Sequence, residues 1–220
     1  MVHSFYEKPE SQQKKLIFFV ALAVSILFVG TLLIAFITEV YWISLITAPF
    51  IMIAAPFIDT PMGKKKGKLI YYSPMFITER QENHKIIFHG GTLFDYCFAL
   101  DFSLPGPQRT REILSGYLEG LLNFIEQHES SKEDVMLEGT SYILQENAAK
   151  RLGFRSVPTQ GIYSIILVVN YPTLIIAYSI SKNKLSLPDL RKIKTYRSSV
   201  KELSNNKLYI KDLYEKLAKK

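Results

Sequence analysis

Residues 16–37, LIFFVALAVSILFVGTLLIAFI, are followed by Thr38-Glu39-Val40 and then by residues 41–58, YWISLITAPFIMIAAPFI. Glu39 is the one charged residue in the block. The pattern predicts two membrane-crossing helices joined by a very short turn. At about 1.5 Å per residue the first span measures about 33 Å, enough for a hydrocarbon core of about 30 Å. Backbone groups in lipid must be satisfied within the chain, so a helix is the expected form. The second span is shorter and carries Pro49 and Pro56, each of which removes a helix donor. It reads as a kinked crossing or as a re-entrant segment. Tyr41 and Trp42 sit where an aromatic belt lies at the outer interface. The first run is too long for a secretory signal, and no small-residue cleavage site precedes the second.

Basic residues flank the block. Lys14 and Lys15 precede it, Lys64, Lys65, Lys66 and Lys68 follow it, and the turn has no Lys or Arg. The positive-inside bias then places both termini in the cytoplasm and the turn outside. The expected location is the cytoplasmic or inner membrane. Of the 220 residues, about 150 remain after the hairpin, which suits one globular domain. The expected division is a cytoplasmic segment at 1–15, a hairpin at 16–60, a cytoplasmic α/β domain at 61–183 and a basic helical tail at 184–220. A single cysteine, Cys97, excludes an intramolecular disulfide and fits a reducing compartment.

Residues 184–220 hold eleven Lys or Arg against four Asp or Glu, an excess equal to the net +7 of the whole chain. Anionic lipid head groups suit such a tail beside a bilayer, at about 1 kcal/mol per basic residue close to the surface. The membrane-surface candidates are Lys64, Lys65, Lys66, Lys68, Arg191, Lys192 and Lys194. A solvated Lys-rich helical face is the alternative. Tyr196, Tyr209 and Tyr214 interleave the charges, but no nucleic-acid-binding motif accompanies them.

The soluble part reads as a mixed α+β domain. KLIYYSPMFIT (68–78) is strand-like and interrupted at Pro74. Residues 85–88 and 94–102 read as two more strands, with His89-Gly90-Gly91-Thr92 as a hairpin or bulge. Phe94, Tyr96, Phe98, Leu100 and Phe102 alternate with small or polar residues, a period of two. After Pro105-Gly106-Pro107 a helix runs from about Gln108 to His128, with Ile113, Tyr117, Leu121, Leu122 and Ile125 on its inner face. Lys132 to Asp134 reads as a turn, residues 135–144 as a strand and residues 145–152 as a short helix stopped by Gly153. Residues 162–169 and 173–179 are strongly apolar. Their β-branched content, with Asn170 and Pro172 between them, predicts a buried strand pair and not a third membrane segment.

This order of elements, together with QENAAKRLGF (145–154), resembles the central and C-terminal part of a GNAT-type N-acyltransferase domain over about residues 85–180. Asn147, Ala148, Gly153 and Phe154 are the matching positions. The resemblance implies acetyl-CoA or another acyl-CoA as cofactor. The helix from Gln108 would hold its pyrophosphate, since a helix N-terminus presents free amide donors. Gln108, Arg109, Arg111 and Asn147 are then the candidate binding residues. Arg111 and Ile113 stand where that family's phosphate loop has glycine, and the apolar hairpin stands in place of its acceptor-site helices.

Other chemistry has less support. His89, Cys97 and Asp101 offer a thiol with a base, but a mid-strand cysteine reads better as a small buried residue. Gly139-Thr140-Ser141 has no elbow motif around its serine. His3, His84, His89 and His128 show no metal-ligand spacing. Asp95, Asp101, Glu119 and Glu138 read as solvated carboxylates. The expected function is a membrane-held α/β module that binds lipid, a protein partner or a second copy of itself. The alternative is a membrane-anchored acyl-CoA-dependent N-acyltransferase.

Overall fold

The computed structural model describes residues 1–130, 134–141 and 143–219, with the side chains of Tyr163 and Ser164 left out. Helix α1 spans Glu10–Thr38 and ends where Glu39 takes the left-handed conformation, φ 57°. A 3-10 turn at Tyr41–Ile46 leads into α2, Thr47–Lys65. The helices run antiparallel, and Lys65 at the end of α2 meets Glu10 at the start of α1 at 2.8 Å. Both α1 and the stretch Tyr41–Lys65 are long and apolar enough to cross a membrane. Pro49 falls in the first turn of α2, where an N–H has no helical partner in any case. Pro56 lies inside the helix and leaves the carbonyl of Met52, four residues back, without its usual donor. Thr173 supplies one from elsewhere in the chain: its Oγ1 donates to Met52 O at 3.1 Å.

The first eight residues pack into the domain. Phe5 is fully buried against Phe94 and Phe98, and the Met1 ammonium sits 3.4 Å from Glu119. His3 Nε2 lies 3.1 Å from Asp95 Oδ1, which also accepts from the Tyr71 hydroxyl at 2.8 Å.

The domain is built on a six-stranded mixed sheet in the order β1-β2-β3-β4-β6-β5. Its strands are β1 Leu69–Ser73, β2 Phe76–Glu79, β3 Lys85–Gly90, β4 Met136–Ser141, β5 Arg155–Val157 and β6 Lys194–Ser199. Only the β3–β4 pair is parallel; the other neighbours are antiparallel. The long helix is α4, Gly106–His128. Helix α5, Glu146–Leu152, stops at Gly153, whose φ of 97° is the left-handed cap that glycine adopts at little cost. Helices α8, Val200–Asn205, and α9, Lys207–Ala218, close the chain. The main core joins Phe76, Phe88, Phe124, Leu137, Tyr196 and Leu203 between the sheet and these helices.

Four expectations give way. Residues 94–102 are not a strand: Leu93–Ala99 is helix α3. Thr92 caps it, with Asp95 Oδ2 accepting from Thr92 N and Thr92 Oγ1 at 2.7 Å each, a reciprocal capping box. At helical spacing Phe94 and Phe98 meet Phe5, while Leu93, Tyr96 and Leu100 join a second core with Met75, Ile113 and Ala177. Residues 162–169 and 173–179 are not a strand pair: they form helices α6, Gly161–Val169, and α7, Tyr171–Lys182. Pro172 starts α7 instead of turning a hairpin. The basic segment 184–220 is not helical throughout. It delivers β6, which pairs with β4 on one side and β5 on the other. Finally, Asp95 and Glu138 are buried, at 0% and 3% exposure, and not solvated. Lys85 and Arg197 each reach Glu138 at 2.5 Å. Burial pushes that carboxyl up, and the hydrogen bonds from the two cations more than offset it, leaving it below its ordinary value. The turn expected at Lys132–Asp134 lies mostly outside the described residues.

Candidate functional site

Strands β3 and β4 pair only at their starts, through Lys85↔Met136, Ile86↔Leu137 and Ile87↔Glu138. From Phe88 onward β3 is paired with β2, through Thr78↔Phe88, Ile77↔His89 and Phe76↔Gly90. From Gly139 onward β4 stays with β6, through Gly139↔Tyr196, Thr140↔Thr195 and Ser141↔Lys194. Each strand keeps its outer partner and the parallel pair splays. Phe88 wedges the gap: a Cβ at Gly139 would lie 2.6 Å from its ring, so only glycine admits the ring there.

Beyond the wedge, outside the carboxyl ends of the parallel strands, is a cavity of about 300 Å³. This is where open sheets with parallel strands place ligands, and the volume is at the low end of small-molecule sites, about 300–1,000 Å³. Gly90, Gly91, Thr92, Thr140, Ser141 and Ile143 form its sheet side. Tyr96 of α3 and Tyr117 of α4 form its floor, and Leu167, Asn170, Thr173, Leu174 and Ala177 of the α6–α7 region form its roof. Pro56 of α2 completes the wall. The cavity therefore adjoins the apolar hairpin. Thr92 Oγ1 lies 3.3 Å from Thr60 Oγ1 in α2, which ties the end of β3 to the same helix.

The polar groups lining it are mostly occupied. The Tyr96 and Tyr117 hydroxyls share a hydrogen bond. The Tyr117 hydroxyl packs against Gly90, where a Cβ would lie 1.8 Å away. Burial pushes it up to about 12, so it stays protonated at neutral pH. Ser141 Oγ accepts from the N–H groups of Ile143 and Leu144 at 3.1 and 3.0 Å. Thr140 Oγ1 lies 2.9 Å from Thr195 Oγ1. His89 is held 2.7 Å from Glu79 Oε1. The lining has no lysine, arginine or carboxylate. Its character suits an apolar guest with one weakly polar end, near the tyrosine hydroxyls.

Of the sequence-derived site residues the structure brings together Gln108 and Arg111, but not Arg109 or Asn147. Arg109 is buried and donates to Phe102 O and, at 3.1 Å, to Ile180 O. Arg111 faces the other way and donates to the last carbonyls of α9: Leu217 O at 2.7 Å, Lys216 O at 2.9 Å and Lys219 O. Gln108 and Arg111 line a hollow of about 410 Å³, separate from the cavity at the strand ends, with Met1 and Tyr214. Asn147 is exposed on α5. The N-terminus of α4 is covered by the C-terminus of α7: a Cβ on Gly106 would lie 2.1 Å from Lys182 O, and Thr110 Oγ1 donates to Ser181 O at 3.1 Å. Gln108 N and Arg109 N donate to Pro105 O at 3.0 Å each, and Pro107 has no N–H to offer.

Cys97 sits on α3 and borders the second core. Burial pushes its thiol up, away from nucleophilic thiolate. Among the described residues, no group of three or more His, Cys, Asp or Glu could hold a metal ion. Of the basic candidates, Lys64 lies over the Tyr6 ring at 3.4 Å. Lys65 pairs with Glu10, Arg191 and Lys192 with Asp189, and Lys194 with Glu146. Lys66 and Lys68 are exposed. The residues that sequence reasoning missed are Tyr96, Tyr117, Thr140, Leu167 and Thr173. The one local signal for them was Gly90-Gly91, a glycine pair at a strand end where another group approaches the backbone closely. Compared with known proteins, the chain matches no family model, no curated protein and no solved structure.

Proposed function

We propose that this protein is a membrane-held binding module whose ligand is an apolar, lipid-derived molecule taken up at the splayed end of β3 and β4. Helices α1 and α2 cross the bilayer, both termini lie in the cytoplasm, and the exposed lysines beside α2 lie near the head groups. The observation that carries the reading is the contrast between two places. The cavity at the strand ends is apolar and adjoins the hairpin through Pro56. The N-terminus of α4, which an acyl-CoA pyrophosphate would need, is covered by the end of α7 at Lys182. A binding or regulatory role is therefore favoured over catalysis by acyl transfer.

One observation favours the second reading, a membrane-anchored acyl-CoA-dependent N-acyltransferase. The parallel β3–β4 pair splays as a cleft between adjacent strands, with the long helix α4 between them in the chain.

Titration of the full chain in nanodiscs decides between them. A medium-chain fatty acid is expected to bind, and Ala177→Trp, which fills the cavity from α7, is expected to weaken it at least tenfold. Acetyl-CoA is expected to give no heat. Micromolar acetyl-CoA affinity with turnover would reject the binding-module reading. Fatty-acid affinity unchanged by Ala177→Trp would reject the cavity as its site.

A further inference from the structure

Helix α6, GIYSIILVV, carries no charged residue. Ile162, Ile165, Ile166, Val168 and Val169 are all 47–59% exposed. A helix apolar around most of its surface belongs in a protein interior or in lipid, and a contiguous exposed apolar surface marks an interaction site. Two further observations name the occupant.

The first is continuity with the hairpin. Thr173, at the start of α7, donates to the Met52 carbonyl that Pro56 leaves free. This fixes the α6–α7 junction against the upper, apolar part of α2, thirteen residues before Lys65. Phe50 and Ile51, just before Met52 on α2, are exposed and apolar as α6 is.

The second is the backbone at the junction. A helix end in lipid must satisfy its own polar groups, because no water is present to do so. Here Asn170 N and Asn170 Nδ2 both donate to Ile166 O, at 3.0 and 2.8 Å. Leu174 N donates to Asn170 O at 3.0 Å. Pro172, in the first turn of α7, has no N–H to satisfy.

We infer that α6 and the α6–α7 junction are embedded in the near leaflet of the bilayer as a third membrane element that enters without crossing. Nine residues at about 1.5 Å each span about 14 Å, less than half of a hydrocarbon core of about 30 Å. Helix α7 then returns to Lys182 and Lys184, and the basic residues Arg191 and Lys192 follow before β6. The placement puts Leu167 at the cavity rim in contact with acyl chains and gives the cavity a mouth within the leaflet. The inference rests on the membrane reading above.

The test uses the full chain in a Cys97→Ala background, reconstituted in phospholipid vesicles. An environment-sensitive fluorophore is attached at Ile165→Cys, or one turn on at Val169→Cys as a second probe of the same face. Ile26→Cys on α1 reports the hairpin. Leu208→Cys, 84% exposed on the helix whose start contacts Glu129, reports water. The α6 probes are expected to emit as blue as the Ile26 probe. Lipid carrying a nitroxide near the head group should quench them more than lipid carrying it near the chain end. If the α6 probes behave as the Leu208 probe while the Ile26 probe reports hydrocarbon, the inference fails and the membrane reading stands. Blue emission without nitroxide quenching would show that a protein surface covers α6, and also overturns it. If the Ile26 probe itself reports water, the membrane reading falls and the inference with it.

Discussion

Replacing Thr173 by valine keeps the shape of the side chain and removes one donor. In the native protein that donor satisfies Met52 O at 3.1 Å, and Thr173 is buried. A buried carbonyl left without a partner costs about 1–3 kcal/mol in a water-soluble interior. Hydrogen bonds between helices in lipid average about 0.6 kcal/mol and reach about 1.7. The contact lies where an apolar helix meets a domain, so about 1 kcal/mol is expected for Thr173→Val. For a chain of this size that is a fall of about 2–4 °C in the melting midpoint. Thr173→Ser, which keeps the hydroxyl, should recover most of it.

The sharper form is a double-mutant cycle. Met52 O needs Thr173 only because residue 56 is proline. Pro56→Ala restores an N–H four residues after Met52, and the ordinary helical bond can form. In that background Thr173→Val should cost almost nothing, giving a coupling of about 1 kcal/mol between the two positions. Whatever Pro56→Ala does alone to helix propensity or to the cavity wall cancels from the coupling. The assay is thermal unfolding of the four full-length proteins in one detergent. An equal drop for Thr173→Val in both backgrounds would refute the argument that the threonine serves the proline's orphaned carbonyl.

Three further outcomes are expected. Gly106→Ala forces a methyl group to 2.1 Å from a backbone carbonyl and should destabilise by about 1–3 kcal/mol. Gly161→Ala, with nothing within 4 Å, should be neutral; equal melting midpoints would contradict the closed N-terminus of α4. The Tyr117 hydroxyl, raised from 10 to about 12 by burial, holds its proton longer in the folded chain than in the unfolded one. Its contribution is complete below about pH 10 and declines between about pH 10 and 12, at up to about 1.4 kcal/mol per pH unit. Midpoints measured across that range should fall less steeply for Tyr117→Phe, and parallel curves would exclude the effect. Asp95→Ala strips the carboxylate that pairs with His3 and accepts from Tyr71 and Thr92. It should release residues 1–8, seen as faster chymotryptic cleavage after Phe5; an unchanged rate would show that the packing of Phe5 alone holds the segment.

The parts legible in the sequence were those whose signal is local. The uncharged run at 16–37 has one physical solution in lipid, and it is a helix. Gly153 after QENAAKRL stops a helix for a steric reason that needs no partner. Strand β6 has no such signal. Its residues KTYRSS look solvated, yet Thr195 and Ser198 are buried, because Thr140 and Gly153 supply hydrogen-bond partners from 55 and 45 residues away. Only the assembled sheet makes that polar strand affordable in its middle. The cavity was illegible for the same reason, since its walls come from α2, α3, α4, β3, β4 and the α6–α7 region.

Residues 93–99 and 161–182 misled in a more instructive way. Aromatic and β-branched side chains favour strands because they fit a pleated, half-buried surface, and that preference is context-dependent. In α3 the capping box at Thr92 and Asp95 outweighs the alternation of Phe94, Tyr96 and Phe98, and it was readable as Thr-x-x-Asp. In α6 the β-branched content is real, but a strand needs a neighbour for each backbone group and a helix does not. Asn170 and Pro172 were read as turn residues. Asn170 Nδ2 adds a second donor to Ile166 O and Pro172 has no N–H to satisfy, so both serve helix ends and not a hairpin turn. The apolar stretch at 162–169 points, by its β-branched content, to a strand and away from a membrane element. As a helix, exposed and joined to α2 through Thr173, it has the composition, the end chemistry and the position of a segment that lies in the leaflet beside the hairpin.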